Sequence, residues 1–236
     1  MSQGLLLGSA GSQRHGVRGD TVKTVEAPPE MHELMEAIEA KYEEIFKTKL
    51  KFKPEESRIK LAGKNVMFIG LRAIAIDLKD ELDSVLGEAG RNLLIYRLGQ
   101  SFGRSEAERI LPQMGLDELP ARIAAGPIWA AYSGFARIRF LPGSVLEPNE
   151  NYFLLYEYPN NFEAELWKKE GRTATEPLCY FNAGYSSGWC SVAAGLELEA
   201  EEILCEAKGD KACRFIMFPA SRRMEYMERL DEFGNM

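Results

Sequence analysis

Apolar residues in this chain switch between helical and strand spacing several times. Met31, Leu34, Met35, Ile38 and Tyr42 recur at three- and four-residue steps, which predicts a helix ending near Phe46. Residues 50–70 read as short strands, K-F-K-P, R-I-K-L-A-G and V-M-F-I-G. The helical period returns with Leu71, Ile74, Leu78, Leu82, Val85 and Leu86 on one stripe, opposite Asp and Lys. Gly87 punctuates it. A second helix is predicted over 88–102 and a third over 105–114, with Ser105 and Glu108 as a capping box. A helix over 119–131 is interrupted at Gly126-Pro127. Strands are predicted at 135–141, 152–158 and 162–168, the first alternating as F-A-R-I-R-F-L. Residues 177–200 read as a helix through a run of small residues. A β-hairpin over 203–218 and a charged helix over 220–236 follow.

This pattern predicts an α+β fold, a small antiparallel sheet packed with helices and a hairpin near the C-terminus. No repeat or linker splits the body. Residues 1–29, rich in Gly, Ser, Arg and Pro without periodicity, read as a disordered tail or an expression-derived segment. The divisions that follow are 30–54, an N-terminal helix and dimerisation segment; 55–218, the main domain; and 219–236, a C-terminal linker helix. In the last, Met224, Met227, Leu230 and Phe233 repeat every three residues. That stripe suits either packing on its own domain or a coiled-coil-like output helix.

Charge and histidine count then narrow the function. The chain has 236 residues and a formal net charge of -7, which argues against a direct nucleic-acid surface. No apolar run reaches membrane-spanning length, and Met1–Ala10 lacks the charged start and long core of a signal peptide. A cytoplasmic location is expected. The two histidines, His15 and His32, both lie near the N-terminus. Mechanisms that need a histidine base in the main domain are therefore disfavoured. With no Walker A loop, no G-x-G-x-x-G and no H-E-x-x-H, the chain is expected not to be an enzyme.

The chemistry concentrates in four cysteines, Cys179, Cys190, Cys205 and Cys213. Cys205 and Cys213 are equidistant from Gly209, so a hairpin turning there brings their thiols face to face. In a reducing compartment clustered cysteines favour metal ligation over disulfides. Cys179 offers a third thiolate, and Glu201, Glu202 or Glu206 a fourth donor. Buried free thiols and a Cys205–Cys213 disulfide are the competing readings. Cys190, after Trp189, reads as core. Four protein ligands would leave no open position, which marks a structural site.

Residues 55–218 resemble a known family. R-L-G-Q-S-F-G-R-S-E-A-E at 97–108, A-G-P at 125–127, N-F-E-A-E at 161–165, E-P-L-C-Y at 176–180 and the run from Glu202 through G-D-K-A-C-R occur in order. They are similar to the vinyl-reductase-like sensory domain of phenol- and xylene-responsive bacterial transcription activators (the XylR/DmpR/MopR type). The resemblance implies zinc held by Cys179, Glu202, Cys205 and Cys213, a buried pocket for an apolar or aromatic ligand, a homodimer, and an output domain or partner protein outside this chain. It implies pocket residues among Phe102, Trp129, Tyr132, Phe135, Tyr156, Tyr158, Tyr180 and Tyr185. The histidine and tryptophan with which the phenol sensors grip a hydroxyl align with Ala130 and Tyr158, so the Tyr158 hydroxyl is the expected polar anchor. The expected function is a small-molecule-sensing regulatory domain. The alternatives are an interaction module of the vesicle-tethering fold group and, with less support, a relative of tetrapyrrole vinyl reductases.

Overall fold

The computed structural model describes residues 22–234. His15 and most of the predicted tail lie outside the described residues. Residues 22–29 depart from the predicted tail, because Val22 and Val25 are buried and β1 (Val25–Glu26) joins a sheet. The helical stripe from Met31 becomes α1 (His32–Lys49), with Met35, Ile38, Tyr42 and Ile45 buried. β2 (Leu50–Lys53), β3 (Arg58–Leu61) and β4 (Lys64–Val66) form a separate antiparallel sheet.

A widened π-type turn at Ala73–Asp77 leads into α2 (Leu78–Met114). Gly87 breaks this helix as expected, with a φ of 67°. No second break follows: Ser105 lies on an exposed interior turn and caps nothing, so residues 88–114 form one helix where two were predicted. α3 (Leu119–Ser133) likewise runs through Gly126-Pro127 without interruption. Pro127 removes only one backbone donor, and the apolar neighbours of α3 hold the helix.

The strands β5 (Ala136–Phe140) and β6 (Leu154–Asn161) come next. Residues 162–169 are a helix, α4 (Phe162–Lys169), where a strand was predicted. The local cause is Asn161, whose side-chain Oδ1 accepts the Glu163 N–H at 3.0 Å and so nucleates the first turn. α5 (Tyr180–Ala194) is shorter than the predicted 177–200. It stops at Gly195, in the left-handed region, and the chain re-enters the sheet as β7 (Leu198–Leu204), paired with β8 (Cys213–Pro219). The main sheet has five strands in the order β1-β5-β6-β8-β7. It is mixed rather than purely antiparallel, because β1 runs parallel to β5.

Helices cover both faces of this sheet. On the inner face, α5 is held against α2 by glycines from both sides. A Cβ on Gly99 or Gly103 of α2 would collide with the carbonyl oxygens of Phe181 and Tyr185. A Cβ on Gly184 or Gly188 of α5 would collide with those of Tyr96 and Gln100. Small residues four apart on each helix thus allow backbone-to-backbone contact. On the outer face, the predicted C-terminal helix is broken into α6 (Arg223–Met227) and α7 (Leu230–Gly234). Tyr226 and Phe233 pack there on Phe153, Leu155, Ile216 and Phe218, while Met224 points to solvent.

Backbone atoms at the α2–α5 contact cannot yield as side chains can. Gly103→Ala or Gly188→Ala should therefore lower stability by about 3 kcal/mol, read as a fall in denaturation midpoint. Ser105→Ala, on the exposed face of the same helix, should change it by less than about 0.5 kcal/mol.

Candidate metal centre and adjoining cavity

Three elements converge on one buried cluster. Cys179 is the residue before the first turn of α5, Glu202 lies on β7, Cys205 follows the end of β7, and Cys213 opens β8. Their ligand atoms all lie within 4.8 Å of one another. Cys179 Sγ is 3.9 Å from both Cys205 Sγ and Cys213 Sγ. That is far beyond a disulfide bond, and all four cysteines are free. Zn–S bonds of about 2.3 Å in a tetrahedron require sulfurs about 3.8 Å apart, close to the observed spacing.

The loop between the strands is built to hold this shape. Gly209 turns it with a φ of 106°. The Asp210 carboxylate accepts the Cys205 N–H at 2.8 Å, and the Cys205 carbonyl accepts the N–H groups of Lys208 and Asp210. The Glu206 N–H points at Cys213 Sγ, 3.4 Å away. Glu202 divides its two oxygens: Oε2 accepts the Cys179 N–H at 2.8 Å, whereas Oε1 is buried with no hydrogen-bond partner. An orphaned carboxylate oxygen beside three thiols is what a metal ligand looks like before its ion is considered.

Electrostatics agree. Burial pushes the Cys179 thiol far above its usual value, and the Cys205 and Cys213 thiols push it further. Burial also raises the Glu202 carboxyl, with Cys205 adding to the effect. Hydrogen bonds from Cys179 and Cys213 pull Cys205 down instead. These acids cannot all ionise together without a cation to offset them. The residues fit a divalent metal, and four protein donors would close its coordination.

A cavity lies further along α5, beneath β5 and β6. Its enclosed space is about 30 Å³, within about 400 Å³ between the lining side chains. The walls are Ile123, Gly126, Pro127 and Ala130 of α3, Ile138 and Phe140 of β5, Leu154, Tyr156 and Tyr158 of β6, and Tyr185, Ser186, Trp189 and Cys190 of α5. Tyr156 and Ser186 hydroxyls are 2.6 Å apart, and the Ser186 oxygen also lies 3.0 Å from the Asn182 carbonyl. Burial holds the Tyr156 and Tyr158 phenols well above their usual value, so both are neutral.

Comparison with known proteins places this arrangement. The model for the activator of aromatic catabolism matches residues 46–142, and the vinyl-4-reductase-type domain model matches residues 157–219. The transcriptional regulatory protein XylR of Pseudomonas putida is 25% identical over 172 residues, 72% of this chain and 30% of its own length. The phenol regulator MopR of Acinetobacter guillouiae is 27% identical over 147 residues, 61% of this chain and 26% of its own length. This chain belongs to the XylR/MopR-type sensory-domain family. It spans less than a third of the length of these relatives. The phenol-responsive sensory domain of the transcription activator PoxR, solved with phenol, shares the fold at a TM-score of 0.69 and 21% identity, covering 86% of this chain and 98% of that one.

Within this XylR/MopR-type domain, the four expected metal ligands come together and Cys190 stays apart, in the cavity wall. Of the expected pocket residues, Tyr156, Tyr158 and Tyr185 line the cavity, as does Ala130. Five do not. Phe102 is 47% exposed on α2. Trp129 and Tyr132 pack instead on Tyr42 and Phe46 of α1. Phe135 packs edge-on against Tyr185. Tyr180 faces a polar groove beside β7. Sequence reasoning missed Ser186, Trp189 and the aliphatic lining. The helical spacing of Tyr185, Ser186 and Trp189 was the available signal, and helix 119–133 carries the rest at three- and four-residue steps.

Freshly purified protein should carry about one metal ion per chain by elemental analysis. Cys205→Ser should lose most of it and unfold at lower temperature, because a closed metal site contributes folding free energy directly.

Proposed function

We propose that this domain is a ligand-responsive regulatory module in which a small apolar or aromatic molecule occupies the cavity and zinc fixes the wall beside it. One observation carries the reading: a single helix, α5, serves both sites. Its N-terminal flank bears Cys179, and its inner face bears Tyr185, Ser186, Trp189 and Cys190. Three thiolates and a carboxylate at tetrahedral spacing suit zinc. The metal is structural and pins β7, β8 and α5, so a molecule entering the cavity works against a fixed wall. The relatives are named as transcriptional and phenol regulators, and the PoxR sensory domain was solved with phenol. Those names support an aromatic ligand and an output carried by another domain or a partner protein in the cytoplasm. The acidic chain itself is not expected to touch nucleic acid.

Ala130 and Tyr158 both face the cavity, so ligand polarity is read by tyrosine and serine hydroxyls. Binding of phenol, cresols or alkylbenzenes should raise the melting temperature in a ligand panel. Ala130→Leu, which fills the cavity, should abolish that rise while the metal content stays unchanged. If no panel member shifts the wild-type melt, the aromatic-ligand reading fails.

A homodimer is the second part of the proposal. Leu93, Leu94 and Phe102 of α2 are exposed, as are Met67, Phe68 and Ile69 before it. Apolar surface on this scale marks an interface. Light scattering should report a dimer, and Leu94→Asp should shift it towards monomer without changing the metal content.

A further inference from the structure

The motif N-F-E-A-E contributes no metal ligand and lines no cavity, yet Glu163 is fully buried. Its partner is Lys79, at the start of α2, 3% exposed, with Nζ 2.7 Å from Glu163 Oε2. Both side chains also bind backbone on either side of Cys179. Lys79 Nζ donates to the Leu178 carbonyl at 2.8 Å. Glu163 Oε1 accepts the Asn182 N–H at 2.8 Å, and Oε2 accepts the Phe181 N–H at 3.4 Å. The first N–H groups of α5 have no partner within the helix, and Cys179 supplies no side-chain cap. A carboxylate from α4 caps them instead, where the helix dipole favours an anion. Asn161 secures that carboxylate's own element by accepting the Glu163 N–H, and it also accepts from the Asn182 side chain at 2.8 Å. The Cys179 N–H is held by Glu202.

We infer that Lys79 and Glu163 are positioning residues for the metal centre: they fix the peptide on either side of Cys179, so that its thiol is presented to the ion with the other three donors already in place. This rests on the zinc reading above. Without the clamp, Cys179 would have to be ordered each time metal binds. The cost would appear in metal affinity, although every ligand is still present. Loss of partners that orient a metal ligand typically weakens affinity about 10- to 100-fold.

The test compares wild type, Lys79→Met and the double variant Lys79→Met/Glu163→Met. Zinc affinity is measured by competition with a chromophoric chelator, and fold by circular dichroism with zinc present. Lys79→Met leaves a buried unpaired carboxylate and should destabilise the domain as well as weaken zinc. The double variant removes both charges, and an apolar pair of similar volume commonly restores stability. It should fold as wild type does while binding zinc about 10- to 100-fold more weakly. Wild-type affinity in a folded double variant would overturn the positioning role and leave the zinc site intact. A double variant that no longer folds with zinc present would also overturn it, since the pair would then hold the domain rather than the ligand. Wild-type protein that binds no zinc would instead sink the underlying zinc reading.

Discussion

The backbone contact between α2 and α5 is the constraint on which the rest depends. Four glycines let two helices approach until carbonyl oxygens fill the space that side chains would take. This fixes the distance of α5 from α2, and therefore from the sheet on its other side. A third close approach sets its rotation: a Cβ on Gly126 of α3 would strike the Trp189 indole, whose Nε1–H donates to the Arg122 carbonyl at 3.2 Å. Held at two sides, α5 has little freedom to slide. Its N-terminal flank then delivers Cys179 to the hairpin, and its inner face closes the cavity. Metal site and cavity are consequences of one helix placement.

That placement explains which parts of the chain were legible. The metal centre could be read because its donors are rare residue types whose spacing mirrors the loop that carries them. The cavity was harder, since aromatic residues look alike in sequence whether they face a void or fill a core. Trp129 and Trp189 illustrate this: the first packs outward onto α1, and the second lines the cavity. Strand and helix were confused at 162–169 because F-E-A-E-L-W alternates like a strand over six residues. Only the capping geometry of Asn161 and Glu163 decides for helix. The length of α2 was misjudged for the opposite reason. Ser105 and Glu108 make a capping pattern, but the tertiary contact of Gly99 and Gly103 carries the helix through it.

The motifs that marked the family resemblance now have physical content. Residues 97–108 contain Gly99 and Gly103, and 125–127 contain Gly126, so both are packing signals for α5. Residues 161–165 supply caps for α4 and α5. Residues 176–180 and the hairpin supply the metal donors. Every one of these stretches serves the position of α5 or of the cluster at its tip. Cavity-lining residues such as Ile138, Phe140 and Leu154 lie between them. A lineage could thus change what the cavity admits without disturbing the frame, and the replacement of a histidine position by Ala130 is a change of that kind.

The cavity as it stands has room for roughly one water molecule, at about 30 Å³. An aromatic ring therefore cannot enter without moving walls. Those on the α5 side are pinned by glycine contacts and by the cluster around Cys179. The softer wall is the β5–β6 pair, where β6 alternates Leu154, Tyr156 and Tyr158 towards the cavity with Leu155 and Glu157 towards the outer face. Glu157 there accepts from Arg139 at 2.8 Å and from Arg214 at 2.8 Å, and Arg139 pairs also with Glu26 of β1. Arg214 in turn donates to the Gly234 carbonyl of α7 at 3.3 Å. An outward shift of β6 would strain a ladder of ion pairs that ties the first strand to the last helix. Because Glu157 is nearly fully buried, that ladder cannot simply dissolve into water. A rigid inner wall and a charged, chain-spanning outer one make the terminal segments the place where cavity occupancy would be felt.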